Sequence, residues 1–441
     1  MTIRAIGATP AERARGGAPV ADRIRATYLI ETPLTAEAAA AAIAGEQSSG
    51  TFVKIAGETP ELVERHGARV EAVSLVDEVT EPSLPGAKPA PSGRYQRAHV
   101  TISWPFENVG ASLPNLLATV SGNLSELGEL SGLRLLDIDV PAEFRAVYPG
   151  PLHGVAGTRE LSGVFGRPLI GTIIKPSVGL SPAATADLVD QLAEGGLDFI
   201  KDDELIASPP YSPLEARLGA VMRVLQEHQQ RTGRRVMYAF NVTGEIDEMR
   251  RRVELIARAG GTCAMVSLNW IGPVALAALR RDCPIAIHGH RNGWGVLSRH
   301  PLLGFDFRVF QKIFRMAGAD HIHVNGLSNK FSEDDASVIA SAKACLASSG
   351  PDDRPIMPVF SSGQTVLQAH PTFAAINSVD LIFAAGGGIM AHPDGISAGA
   401  KALRESWAAA VAGVPLDVAA KSSVPLARAI ESFRGKVRVR H

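Results

Sequence analysis

From about residue 147 onward the chain repeats one unit, a short apolar strand followed by a loop and a helix, at intervals of about thirty residues. Candidate strands are Leu169–Ile174, Leu197–Ile200, Val236–Asn241, Ala264–Leu268, Ile285–His288, His321–Val324, Ile356–Phe360 and Leu381–Ala385. They read as continuous apolar runs, which is what parallel strands covered on both faces require. The helices between them carry apolar residues at helical spacing, as in Leu188/Leu192, Leu218/Met222/Leu225 and Val309/Ile313/Met316, and these stripes are core. Eight such units predict a (β/α)8 TIM barrel over 147–441, ending in a helical extension.

Ahead of the barrel the rhythm differs. Strand-like runs at Arg25–Glu31, Ala68–Asp77, Ala98–Trp104 and Leu133–Val140 alternate with helical stretches at Thr35–Glu46 and Leu113–Ser121. That β-α-β-β-α-β order predicts an α+β, ferredoxin-like domain over 23–146. Glu81–Gly93, rich in Pro, Ser and Gly, reads as a surface loop, and residues 1–22 as a loose leading segment.

The 441 residues are 46% hydrophobic, ample for two domains with a sizeable core. With 44 Lys+Arg against 45 Asp+Glu, the net charge of -1 gives no basic excess to attract nucleic acid. No apolar run is long enough to span a bilayer and the start lacks a signal-peptide core, so the expected location is the cytoplasm. Cys263, Cys283 and Cys345 are widely spaced and odd in number, without zinc spacing, and are expected to be small apolar fillers.

A barrel of this class carries its chemistry where the strands end, and phosphate often sits after strands seven and eight. The run Gly195–Glu204 places Lys201, Asp203 and Glu204 together at the end of the second strand. Two carboxylates at close range suit a hard cation such as Mg²⁺. Lys201 cannot itself bind a metal: either it neutralises the carboxylates as an ion pair, or its amine has reacted with CO2 to give a carbamate. A solvated polar strand end is the plainer alternative.

Other unusual residues fall at the same end. Lys175 follows strand one, Asn241 closes strand three, and His288, His290 and Arg291 follow strand five. His321 and His323 lie on strand six, which leads to Lys330. Ser361-Ser362-Gly363 and Gly386-Gly387-Gly388 follow strands seven and eight, where backbone N–H groups can reach phosphate oxygens. The histidines alternate, so each pair shares one face of its strand, and a satisfied core histidine is the ordinary explanation. Arg291 beside His290 favours an anion instead, since guanidinium is a forked phosphate donor. Lys330, in a polar loop, is by itself a solvated surface lysine.

The run around Lys201 is similar, position by position, to the Gly-x-Asp-Phe-x-Lys-x-Asp-Glu signature around the carbamylated lysine of ribulose-bisphosphate carboxylase. Further matching stretches follow in the same order from about residue 24 to 430, so the chain resembles the RuBisCO large-chain superfamily. The resemblance implies that Lys175, in Gly-Thr-Ile-Ile-Lys-Pro, is the catalytic lysine, and that Lys201, as its CO2 carbamate, binds Mg²⁺ with Asp203 and Glu204. It implies acid/base and distal phosphate roles for His290, Arg291 and His323, and for Lys330 a grip on carboxylate or CO2. Ser362, Gly363, Gly387 and Gly388 fall on sugar and phosphate contacts. Glu46, Thr51 and Asn123 match residues that reach into a neighbouring subunit's barrel, which implies a homodimer with shared active sites.

Departures from the carboxylases are as informative. Ser177 stands where they have a second lysine, Phe52 replaces a tryptophan, Ile173 a threonine and Trp294 a histidine, and the mobile loop reads Asn-Lys-Phe-Ser-Glu. Losing the second lysine removes a charge from one phosphate end, so a substrate with one phosphate is expected. The resemblance is then to a RuBisCO-like protein rather than a carbon-fixing enzyme. Retention of Lys175 and Lys330 favours carbon–carbon cleavage of a branched sugar acid, 3-oxo-isoapionate 4-phosphate, by decarboxylation or by transcarboxylation and hydrolysis. The alternative is a methionine-salvage isomerase or enolase acting on a methylthio-pentulose phosphate. A non-catalytic regulatory relative is a third, which the retained metal ligands disfavour.

Overall fold

The computed structural model describes residues 22–49, 57–348, 350 and 353–435. In chain order its strands are β1 (Arg23–Thr32), β2 (Arg69–Val79), β3 (Tyr95–Pro105), β4 (Gly132–Asp139), β5 (Leu169–Ile173), β6 (Phe199–Lys201), β7 (Met237–Asn241), β8 (Cys263–Ser267), β9 (Ala286–His290), β10 (Leu303–Phe305), β11 (His321–His323), β12 (Met357–Phe360) and β13 (Ile382–Ala384). The chain divides into two compact units. One runs to Val147 and takes in His300–Val309; the other comprises Tyr148–Arg299 and the chain from Phe310 on.

The first unit is a five-stranded sheet in the order β10-β4-β1-β3-β2. Along β1 the side chains alternate, with Ile24, Ala26, Tyr28 and Ile30 buried. Opposite them Ala98, Val100, Ile102 and Trp104 line one face of β3, and the antiparallel register pairs Ile24 with Trp104 and Tyr28 with Val100. The helix Ala36–Glu46 buries Ala36, Ala39, Ala40 and Ile43, one stripe at helical spacing, and starts where Thr35 caps Ala38 N–H. The helix Leu113–Ser121 buries Leu113, Leu116 and Val120, and the Val120 carbonyl accepts from the Tyr28 hydroxyl at 2.7 Å. The β4-β1-β3-β2 core with these helices is the expected ferredoxin-like pattern. Two elements add to it. The helix Pro60–His66 precedes β2, and β10 pairs in parallel with β4 (Leu303 with Leu133, Phe305 with Leu135). Three residues show no periodicity, so nothing in the sequence separates β10 from the loop around it.

The second unit is the barrel. Its eight parallel strands close in the order β11-β12-β13-β5-β6-β7-β8-β9, and β11 pairs with β9 to complete the ring. Inward positions recur with period two: Leu169, Phe199, Met237, Ala239, Cys263, Met265, Ala286, Met357, Val359, Ile382 and Ala384 fill the interior. Phe199 is the bulkiest of them, and Gly171 across from it makes the room: a Cβ there would lie 2.7 Å from the Phe199 carbonyl and 2.9 Å from its ring. All three cysteines are buried, as fillers should be. After β13 come the helices Ile396–Val411, Leu416–Ala420 and Val424–Phe433. No helix among the described residues is long and apolar enough to cross a membrane.

Candidate active site

Lys201 is the last residue of β6 and has no exposed surface. Its Nζ donates to the Asp202 carbonyl at 2.9 Å and lies 3.5 Å from both Met265 Sδ and Glu204 Oε2. Burial pushes its pKa down, more than the carboxylates of Glu204, Asp203 and Asp202 push it up, and Lys175 adds to the lowering. Addition of CO2 requires the unprotonated amine, which this surrounding favours.

Asp203 and Glu204 follow directly. Lys175 Nζ donates to Asp203 Oδ2 at 2.6 Å and to Ser177 Oγ at 2.7 Å, so the serine at the place of a second lysine accepts from the first. Glu204 Oε2 lies 3.4 Å from His290 Nε2. Burial works against the Glu204 charge, whereas His290, Lys201 and Lys175 work for it; the charges prevail and hold the carboxyl at about 2. His290 is itself pushed down to about 4, by burial first and by Lys201 second. It is therefore neutral near pH 7.

Between Lys201 and Asp203 stands a residue that sequence reasoning passed over. Asp202 is buried; its Oδ1 accepts from the Tyr238 hydroxyl and its Oδ2 from Arg217 and from Asn241 N–H at 2.9 Å. The Asn241 amide in turn donates to the carbonyls of Asp203 (3.3 Å) and Glu204 (3.1 Å). A buried carboxylate this fully partnered fixes the backbone that presents its two neighbours.

The histidines of β9 and β11 point into the barrel as a ladder. Ring centroids lie 5.6 Å apart for His321 and His288, 4.8 Å for His288 and His323, and 4.4 Å for His323 and His290. His321 Nε2 meets Thr158 Oγ1 at 2.8 Å and is a core histidine. His288 Nε2 and His323 Nε2 are 2.8 Å apart, so one donates and the other accepts, and His323 Nδ1 meets Ser361 Oγ at 2.9 Å. Burial drives both rings well below the ordinary histidine range.

Around the ends of β9, β11 and β12 runs a second chain of contacts. Arg291 is ion-paired with Glu333, whose Oε2 also accepts from Asn325 Nδ2 at 2.6 Å. Asn325 Oδ1 accepts from Ser362 Oγ at 2.9 Å. Asn325 and Ser362 are both in the left-handed region, with φ of 66° and 73°, a backbone cost that clusters at functional loops. Lys330 N–H donates to the Ser362 carbonyl at 3.3 Å, which sets the exposed lysine beside Gly363. After β13 the two glycines differ. Gly387 has open space where a Cβ would stand, whereas at Gly388 a Cβ would lie 2.3 Å from the Gln364 carbonyl.

Lys175, Lys201, Asp203, Glu204 and His290 are thus brought together, and His323, Arg291, Ser362, Gly363 and Lys330 form a connected group on neighbouring strand ends. Glu46 ends the helix Ala36–Glu46 and Asn123 opens a 3₁₀ turn, both exposed in the first unit. Thr51 and Phe52 lie outside the described residues. Glu333 and Asp202 carried no sequence signal beyond their charge. Among the described residues no three His, Cys, Asp or Glu side chains are grouped to hold a metal ion. Beside Asp203 and Glu204, Lys201 could offer an oxygen donor only as a carbamate and never as an ammonium.

Residues 154–433 match the ribulose bisphosphate carboxylase large-chain catalytic domain and residues 19–144 its N-terminal domain. A 3-oxo-isoapionate-4-phosphate transcarboxylase/hydrolase from Xanthobacter autotrophicus is 53% identical over 94% of this chain and 100% of its own. A 3-oxo-isoapionate-4-phosphate decarboxylase from Rhizobium etli is 43% identical over 93% and 98%. The crystal structure of a rubisco-like protein from Burkholderia fungorum, 48% identical, superposes with a TM-score of 0.88 over 93% of this chain and 100% of that one. With both domain types present in order, and the lysine–carboxylate cluster at the end of β6, the chain belongs to the RuBisCO large-chain family and is a RuBisCO-like protein.

Proposed function

We propose that this protein cleaves a carbon–carbon bond of 3-oxo-isoapionate 4-phosphate in apiose or apionate breakdown, as a homodimer in the cytoplasm, with Mg²⁺ held by carbamylated Lys201, Asp203 and Glu204. The observation that carries it is the pairing of an intact Lys201–Asp203–Glu204 cluster with Ser177 where the carboxylases have their second lysine. The names of the two enzymes compared support the substrate, and the 53% against 43% identity favours transcarboxylation and hydrolysis over simple decarboxylation.

When bound, Mg²⁺ supplies Lewis acidity toward the substrate's 3-oxo group. The remaining work belongs to side chains. Lys175, held between Asp203 and Ser177, is a proton carrier at the reacting carbon. His290 is neutral near pH 7 and faces Glu204, so it can accept a proton. Lys330 holds the migrating or departing carboxylate. Arg291 and His323, with the Ser362–Gly363 turn and Gly387, bind the phosphate and the sugar hydroxyls.

Incubating the protein with 3-oxo-isoapionate 4-phosphate, Mg²⁺ and bicarbonate tests this. Glycolate release signals transcarboxylation and hydrolysis, and CO2 release signals decarboxylation. Neither product, with turnover of methylthioribulose 1-phosphate instead, would hand the reaction to the methionine-salvage reading.

A further inference from the structure

We infer that Glu333 is the specificity-determining residue of the Arg291 subsite: its carboxylate occupies the guanidinium, and an incoming substrate anion must displace it. This rests on the reading that Arg291 meets a substrate anion. Arg291 is 6% exposed and the Glu333 side chain 14%. Glu333 is held from three directions, by Arg291 and Asn325 on one oxygen and by Ser337 Oγ at 2.9 Å on the other. Asn329 braces the same loop, its amide donating to the carbonyls of Gly326 (3.0 Å) and Glu333 (3.1 Å).

A guanidinium presents the same fork to a carboxylate and to a phosphate. Two anions on one buried guanidinium repel at a strength that water does not screen, so binding at Arg291 is an exchange and not an addition. Two consequences follow from the contacts. Neutralised by Glu333, the subsite offers less net charge to the substrate's phosphate, so only an anion that outcompetes the carboxylate is held there. Withdrawal of Glu333 also takes a partner from the Asn325 amide, whose oxygen is tied to Ser362 and through it to the Lys330 backbone.

The alternative is that Glu333 merely aims Arg291. The two readings give opposite signs for inorganic phosphate binding, measured by calorimetry on the full chain. If Glu333 is a competitor, Glu333→Gln, which keeps a side chain able to hydrogen-bond Asn325 and Ser337, binds phosphate about ten-fold more tightly. Glu333→Asp, retracting the charge by one methylene, shows a smaller gain and serves if the glutamine variant does not fold. Phosphate binding equal to or weaker than the parent's in the folded variant overturns the inference while leaving Arg291 in the site. Unchanged binding in Arg291→Gln overturns the anion reading of Arg291 and the exchange with it.

Discussion

The Tyr238 hydroxyl donates to Asp202 at 2.6 Å from the neighbouring strand, and neither side chain reaches solvent. With Arg217 and Asn241 N–H on the other oxygen, Asp202 is neutralised inside the barrel wall between the proposed metal ligands Lys201 and Asp203. Arg217→Met leaves that carboxylate buried without its counter-charge and is expected to cost about 3–5 kcal/mol of stability. Tyr238→Phe removes one donor and is expected to cost about 1–2 kcal/mol. Urea unfolding checks both; equal losses would mean that the ion pair is not the principal support.

Lys175 is exposed enough to meet substrate, and its ammonium donates to Asp203 and Ser177. Lys175→Met should leave assembly intact at some cost in stability, since the buried Asp203 carboxylate loses its ammonium partner. Turnover should fall by about a hundred-fold or more, the usual range for losing a positioned proton carrier. Bicarbonate labelled with ¹³C should still give a carbamate resonance in this variant and none in Lys201→Arg. A carbamate signal that survives loss of Lys201 would place the modification elsewhere.

His321 gives stability a pH dependence. Burial, opposed by Asp320, pushes its pKa down to about 4, against about 6.5 in an unfolded chain. Below pH 6.5 the unfolded state gains a proton that the folded state refuses, so the contribution is complete above that pH and is lost as pH falls toward 4. Between pH 6.5 and pH 5 the loss is about 2 kcal/mol from this residue alone. His288 and His323 shift in the same direction. Replacing His321 by Asn should flatten the slope of melting temperature against pH; an unaltered slope would remove His321 as its source.

Gly387 and Gly388 should respond differently to alanine. At Gly387 the added methyl enters open space, so Gly387→Ala should raise KM for a phosphorylated substrate while leaving the melting temperature close to that of the parent. At Gly388 it meets the Gln364 backbone, so Gly388→Ala should lower the melting temperature first. The same melting temperature in both variants would contradict this division.

The barrel was legible because its strands are apolar, regularly spaced and bounded by turn residues; the expected spans agree with β5 to β9 and β11 to β13 to within two residues at each end. The Lys201 run was legible because a charged cluster directly after a buried strand is costly without a purpose. Asp202 was not, since in a run of adjacent acids nothing local says which one turns inward to Arg217 and Tyr238. Glu333 was not either: Ser337 lies four residues on, but its partners Arg291 and Asn325 are joined to it by folding and not by spacing. The histidine ladder was half legible. Alternation placed each pair on one face, but that His321 supports the interior while His290 faces Glu204 depends on depth along the strand, which periodicity does not encode.

The pairing of β10 with β4 bears on how this polypeptide emerges from a ribosome. The sheet of the first unit is finished by Leu303–Phe305, which are synthesised after five strands of the barrel. Until then the nascent chain carries an unsatisfied β4 border, the kind of edge that recruits foreign strands. Truncation at Val147 would make that transient condition permanent, so a fragment ending there should be prone to self-association where the whole chain is not.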